Sequence, residues 1–256
     1  MVSIGGLFCV DRFEGTLFAD TGEAFSPDFP ATPGLLEAVL GEWVTGRSRV
    51  GDVHARAFPL PHLPFWQRGA KLQQIAATRR GVQPSGYVTG LVAESACAAA
   101  GKRLCTVDEF AMACRGEDDT LYPYGDDFID GACNVFREGH PAAVLHGNAS
   151  IGHLDPRLNR VTLAGQPLLR KTGATPRCRS RWGGDAVYDL VGNVDEWVDE
   201  GGGGAFAGGF YSRSTRAGCE ALITAHPKQY LDYSTGVRCC HDASRTPTSG
   251  AAAPKP

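Results

Sequence analysis

The sequence predicts one irregular α+β domain, low in regular secondary structure. Three observations carry this. Glycine (33) and proline (16) are abundant among 256 residues, two helices near the middle have clear start and stop signals, and the last third offers only short strand-like runs between glycine turns. The length suffices to bury a sizeable core. No internal repeat or boundary divides the chain. The domain is therefore expected over residues 1–241, with 242–256 a disordered tail lacking core-forming side chains.

In chain order, residues 1–20 read as a strand and turn, with the apolar Leu7-Phe8-Cys9-Val10 preceding the charged Asp11-Arg12-Phe13-Glu14. Residues 21–85, rich in Pro, Gly and aromatics, read as ordered loop around a short helix near 35–44. Thr89 is placed to cap a helix to Ala100, with Leu91, Val92, Ser95, Ala96 and Ala99 at helical spacing and Gly101 as its stop. Thr106-Val107-Asp108-Glu109 is a capping box, hydroxyl and carboxylate each satisfying an orphan amide, and opens a second helix to about Cys114. From Tyr122 onward the periodicity disappears. Short strands are expected at 186–190, 196–198, 208–211 and 235–239.

Charge and hydropathy weigh against two function classes. Formal net charge is −3 and no Lys/Arg cluster marks a phosphate-tracking surface, which argues against nucleic acid as a partner. No apolar stretch approaches the roughly 18 residues of a membrane span. Nine cysteines, an odd number, favour an oxidising compartment with disulfides and one thiol left over. Met1 runs into Val2-Ser3-Ile4 without a basic or apolar leader region. The compartment is thus extracytoplasmic if a leader has been removed, and cytoplasmic otherwise.

Several motifs then align with one family. Ala100-Gly101-Lys102-Arg103-Leu104-Cys105-Thr106, followed by Glu109-Phe110 and Ala113-Cys114-Arg115-Gly116, resembles the AGKRLPTEAEWEYACRG signature of formylglycine-generating enzymes. Tyr122-Pro123-Tyr124-Gly125 is similar to its YPWG, and the run from Val187 to Val198 (VYDLVGNVDEWV) to its GLYDMVGNVWEWV. Gly208-Gly209-Phe210-Tyr211 and Gly236-Val237-Arg238-Cys239 resemble its RGGSW/Y and closing GFRC. The order holds over about residues 5–240. The resemblance implies a variant of the C-type lectin fold. The family also contains iron-dependent sulfoxide synthases, pyoverdine-maturation proteins and non-catalytic relatives, so the site must be argued separately.

By resemblance, two structural disulfides are implied, Cys97–Cys239 and Cys114–Cys219. The namesake enzymes hold Cu(I) through a C-x4-C thiolate pair between RGGS and a later RYRC, soft sulfur suiting that ion. Between Gly209 and Cys219 this chain has no cysteine. If Cys219 is structural, the copper pair is absent; if Cys219 is an active thiol, Ser212 stands where its partner would be. Pairing of Cys9, Cys105, Cys133, Cys178 and Cys240 is left open, with Cys105–Cys133 one candidate.

The resemblance also implies structural calcium, held by the side chains of Asp189 and Glu196 and the carbonyls of Gly192 and Val194, with a second site near Asn134 and the Val135 carbonyl and Asp155 the nearest carboxylate. A hard ion needing six to eight oxygens suits such loops. For a catalytic Fe2+ or Cu, imidazole is the natural ligand. His226 borders the implied pocket, His140, His146 and His153 lie in an enlarged loop, and Asp195 replaces a pocket tryptophan. Tyr211, Ser212, Ser214, Arg238 and Trp197 would line the same pocket, Trp197 more as core than as contact. His54 and His62 read as structural. The leading expectation is an oxygen-using, metal-dependent oxidative enzyme acting on a peptide or small molecule, with His226, Asp195, Tyr211, Ser214 and Arg238 as its site. The alternatives are a non-catalytic binding or accessory protein and genuine formylglycine generation through Cys219.

Overall fold

The computed structural model describes residues 1–46, 57–69, 71–213 and 216–243. The chain opens with an antiparallel hairpin of β1 (Val2–Ile4) and β2 (Phe8–Val10), reversed at Gly5 and Gly6, both at positive φ (56° and 74°). Next, β3 (Gly15–Ala19) pairs antiparallel with β4 (Gln74–Thr78), a strand inside the segment expected to be loop. Gly15 has no alternative: a Cβ there would lie 2.6 Å from the Val237 carbonyl.

Among the described residues, four helices are set by their local signals and caps. The expected helix near 35–44 is α1 (Pro33–Gly46). In α2 (Gly90–Ala99) the Thr89 hydroxyl accepts from the Val92 amide. In α3 (Val107–Arg115) the box is reciprocal: Thr106 accepts from Glu109 N, and Glu109 accepts from Thr106 N. Sequence reasoning missed α4 (Pro141–His146), because its cap is the His140 imidazole and not a short polar side chain.

The remaining strands are short: β5 (Arg103–Leu104), β6 (Thr162–Leu163), β7 (Gln166–Pro167), β8 (Arg179–Trp182), β9 (Asp185–Tyr188), β10 (Asp195–Val198), β11 (Ala205–Ala207), β12 (Leu222–Ile223), β13 (Thr235–Gly236) and β14 (Cys239–Asp242). One sheet, β1-β2-β14-β5, ties the two ends of the chain together. A second, β12-β11-β10-β13, carries β10 in its interior, parallel to β13 and antiparallel to β11.

Three strand expectations need correction. The run 208–211 is not a strand, since Gly208 (φ 85°) and Gly209 (φ 79°) turn the chain out of the β region after Ala207. The run 186–190 stops at Tyr188 because Asp189 is left-handed (φ 60°). The run 235–239 divides into β13 and the start of β14. Asp242, assigned from sequence to the tail, pairs with Phe8 in the first sheet; residues 244–256 lie outside the described residues.

Four disulfides fasten this frame: Cys97–Cys239, Cys114–Cys219, Cys105–Cys240 and Cys133–Cys178. The first two are the pairs implied by resemblance. The other two correct the Cys105–Cys133 candidate. Adjacent Cys239 and Cys240 lie on one strand, so their side chains leave opposite faces of the sheet and each meets its own partner. Cys9 is the free cysteine. Such a bridge set is the signature of an oxidising environment. Among the described residues no helix is long and apolar enough to cross a membrane.

Candidate functional site

The site is built around β10. All four of its residues are buried, and strand alternation sends Asp195 and Glu196 to opposite faces. Trp197 is core: its ring is 1% exposed, its indole N–H donates to the Val88 carbonyl, and Phe206 packs edge-on at 5.1 Å.

On one face, Asp195 Oδ2 accepts from Arg213 Nη2 at 2.6 Å, and Ser234 Oγ stands 3.3 Å away. Asp195 Oδ1 has no hydrogen-bond partner among the described residues. Ser234 Oγ also donates to Asp232 Oδ1 at 2.8 Å, and Tyr230 donates to Asp232 Oδ2 at 2.7 Å. The result is a buried polar string, Arg213–Asp195–Ser234–Asp232–Tyr230. Arg213 is a quarter exposed and partly hydrated whereas Asp195 is sealed, so burial outweighs the guanidinium and the carboxyl titrates at about 7. A buried carboxyl with a near-neutral pKa and one unpartnered oxygen is poised to take or give a proton, or to accept from a ligand.

Aromatic rings wall this string. His140, His153, Phe210 and Tyr233 pack with centroids 5.7–6.1 Å apart, and Arg213 lies 5.0 Å over Phe210. His140 Nδ1 accepts from the Ala142 amide, which puts the ring proton on Nε2 for donation to Tyr233 Oη at 2.9 Å. Burial lowers the His140 pKa and raises that of Tyr233, so this pair is neutral near pH 7.

The expected histidines are therefore separated. His140 and His153 share one wall. His146 is buried 3.1 Å from Asp155, and His226 stacks on Tyr230 at 3.9 Å and Phe206 at 5.8 Å. Both nitrogens of His140 are engaged, and His153 Nε2 is held by the Ala149 carbonyl at 2.7 Å. Among the described residues no three His, Cys, Asp or Glu side chains converge as a metal-binding group. This donor set does not fit a redox metal.

On the other face, Arg238 grips both oxygens of Glu196 (2.6 and 2.8 Å) and donates to the carbonyls of Asp11 and Tyr188. It is fully buried, with its guanidinium spent on Glu196 and two backbone carbonyls. Asp189 Oδ2 accepts from Gly173 N at 2.6 Å, and Glu14 accepts twice from the Asn193 amide. Burial raises the Glu14, Asp189 and Glu196 carboxyls, Asp189 to about 6, with mutual repulsion adding to the effect. Three carboxylates thus face one guanidinium. The second expected site is less well assembled. The Asn134 amide is spent on the Leu168 carbonyl and Asn193 Oδ1, and Asp155 is locked to Arg157 and His146. Asn134 and Val135 are nonetheless buried against the Gly192 turn, where a Cβ on Gly192 would lie 2.3 Å from the Asn134 carbonyl.

Tyr211 is fully buried, its hydroxyl donating to Asn159 Oδ1 at 3.3 Å. Ser212 donates to the Gly139 carbonyl; Ser214 and His54 lie outside the described residues. The His62 carbonyl accepts from Ser26. Sequence reasoning missed Glu14, Arg213 and Asp232 as members of these clusters. The first sits in an ordinary charged turn, and nothing local distinguishes a buried carboxylate from a solvated one.

A family model described as the sulfatase-modifying factor enzyme 1-like domain matches residues 61–250. No curated protein matches the chain. Among solved structures 33 chains match; the crystal structure of CarF is 13% identical, with a TM-score of 0.41, over 93% of this chain and 100% of that one.

Proposed function

We propose, for a chain that belongs to the sulfatase-modifying factor enzyme 1-like family, that the part-exposed Arg213 and the polar string behind it recognise a peptide or small molecule, and do so without thiolate–copper chemistry. One observation carries this reading. Cys219 is bonded to Cys114, and residues 210–218 contain no other cysteine. A soft ligand pair for Cu(I) is thereby removed. What stands in its place suits recognition: the Arg213 guanidinium is a quarter exposed over the Phe210 ring and is backed by Asp195, whose Oδ1 has no partner among the described residues. This is a lectin-like use of the scaffold in an oxidising, extracytoplasmic setting.

The oxidative enzyme is the rival reading, and metal content separates the two. Protein purified without added metal should carry no stoichiometric iron or copper. With Cu(I) and a Cys-containing sulfatase peptide it should form no formylglycine. Near-stoichiometric iron or copper, or formylglycine in that assay, overturns the recognition reading. The same proposal places a structural calcium ion at Asp189 and Glu196 with the carbonyls of Gly192 and Val194, adding positive charge to that of Arg238. Chelation should then lower the melting temperature and calcium should restore it. A melting temperature indifferent to both removes the ion.

A further inference from the structure

A cavity of about 780 Å3 is lined among others by Gln83, Arg137, Arg160, Gln166, Arg170 and Lys171. Its size suits a small organic molecule. Four of its lining side chains are cationic, and no carboxylate is among the described lining residues. They come from separate stretches of the enlarged loop region, so the sequence shows no basic cluster where the fold makes one.

The four cations are not equivalent. Arg160 is neutralised by Asp28, with two nitrogens 2.6 and 2.8 Å from one oxygen. Arg137, Arg170 and Lys171 make no ion pair among the described residues. Arg170 is fixed by one hydrogen bond to Thr175 Oγ1 at 3.2 Å, and Arg137 reaches only Asn134 Oδ1 at 3.4 Å. Burial and then the Arg137 charge pull the Arg170 pKa below its ordinary value, with Asp189 opposing them. An anion in the cavity relieves that repulsion, and guanidinium forks match the geometry of an oxyanion.

The neighbouring space defines the rest of the ligand. Arg137 and Gln166 also line an adjoining cavity of about 720 Å3, whose other walls include Phe128, Phe136 and Leu163. That second cavity carries charges of both signs, Asp130 and Glu138 against Arg137 and Arg216, the last lying 4.9 and 5.0 Å over the Phe128 and Phe136 rings, so charge selection rests with the first. We propose that the first cavity binds the oxyanion head of a small organic phosphate, sulfate or carboxylate through Arg137, Arg170 and Lys171, with its apolar body against the Phe128–Phe136 wall. This is independent of the Asp195 pocket.

Calorimetric titration of the full chain with inorganic phosphate, inorganic sulfate, benzoate and phenyl phosphate, against chloride at matched ionic strength, tests the site. At least one oxyanion should bind saturably, and phenyl phosphate should bind several-fold more tightly than inorganic phosphate. R137Q/K171Q should weaken binding about tenfold, the loss expected when charge-assisted hydrogen bonds are removed. K171Q alone, at an exposed position, should weaken it about threefold and serves if the double variant does not fold. Exposed R181Q, removing one positive charge elsewhere, should leave it unchanged. Failure of every oxyanion to bind above chloride overturns the site, as does equal weakening by R181Q. Equal affinity for phosphate and phenyl phosphate overturns the apolar half.

Discussion

The clamped frame and the enlarged loop region are held together by different physics. The frame, helices α2 and α3 with strands β5 and β14, carries three bridges: Cys97–Cys239, Cys105–Cys240 and Cys114–Cys219. Between Cys133 and Cys178 a single bridge encloses a stretch in which an apolar cluster (Leu145, Leu158, Val161, Leu168 and Leu169) is interleaved with buried polar groups. There Arg157 is fully buried with Asp155 fixed against it, and Asn159 joins Tyr211 to the Tyr233 carbonyl. Covalent closure acts on the unfolded chain and tolerates any sequence around it. Buried polar networks act in the folded state and demand specific partners. The lesson is that the frame is held by bonds indifferent to the surrounding sequence, whereas the region between Cys133 and Cys178 depends on the identity of each buried polar partner.

The largest expected effect breaks the frame. The double variant C114S/C219S opens a loop with a sequence separation of 105 and should lose about 4–5 kcal/mol in denaturant unfolding. In the region between Cys133 and Cys178, R157A leaves Asp155 buried without its guanidinium partner and should cost about 3–5 kcal/mol. If that loss is under about 1 kcal/mol, the contrast between the two regions fails.

Asp195 gives the pocket a pH dependence. Its carboxyl titrates at about 7 when folded and near 4 when unfolded, so between these values the folded state holds a proton the unfolded state has released. Stability therefore falls as pH rises through that window. An amide at this position does not titrate, so D195N should gain on the wild type by about 2–4 kcal/mol between pH 4 and pH 8. A pH-independent difference would show that Arg213 compensates the buried charge fully. The smallest effect lies at the capping box, where T106A should cost about 1 kcal/mol, read from the same denaturation curves.

Legibility in the sequence follows the same division. Thr89, Gly101, Thr106 and Glu109 announce their helices because capping is local and depends on a few neighbouring residues. The family motifs identify the frame and two of its bridges because the matching residues are close in sequence to fixed landmarks. Cys105–Cys240 was not legible, since it depends on β14 lying beside β5, a pairing across most of the chain. For the same reason Glu14 and Asn193, far apart in sequence, could not be read as contacts. The histidines show the limit most plainly. Four candidates could be named, but His140 and His153 share a wall while His146 and His226 go elsewhere, and composition carries no information on that sorting.

The functional reading depends most on Cys219 being a covalent clamp and not a metal-binding thiolate. Alkylation of the native protein, followed by non-reducing peptide mapping, tests this directly. The bridge pattern predicts alkylation at Cys9 and a recovered peptide joining Cys114 to Cys219. Alkylation of Cys219, or its protection by bound Cu(I) that a chelator reverses, would contradict the claim.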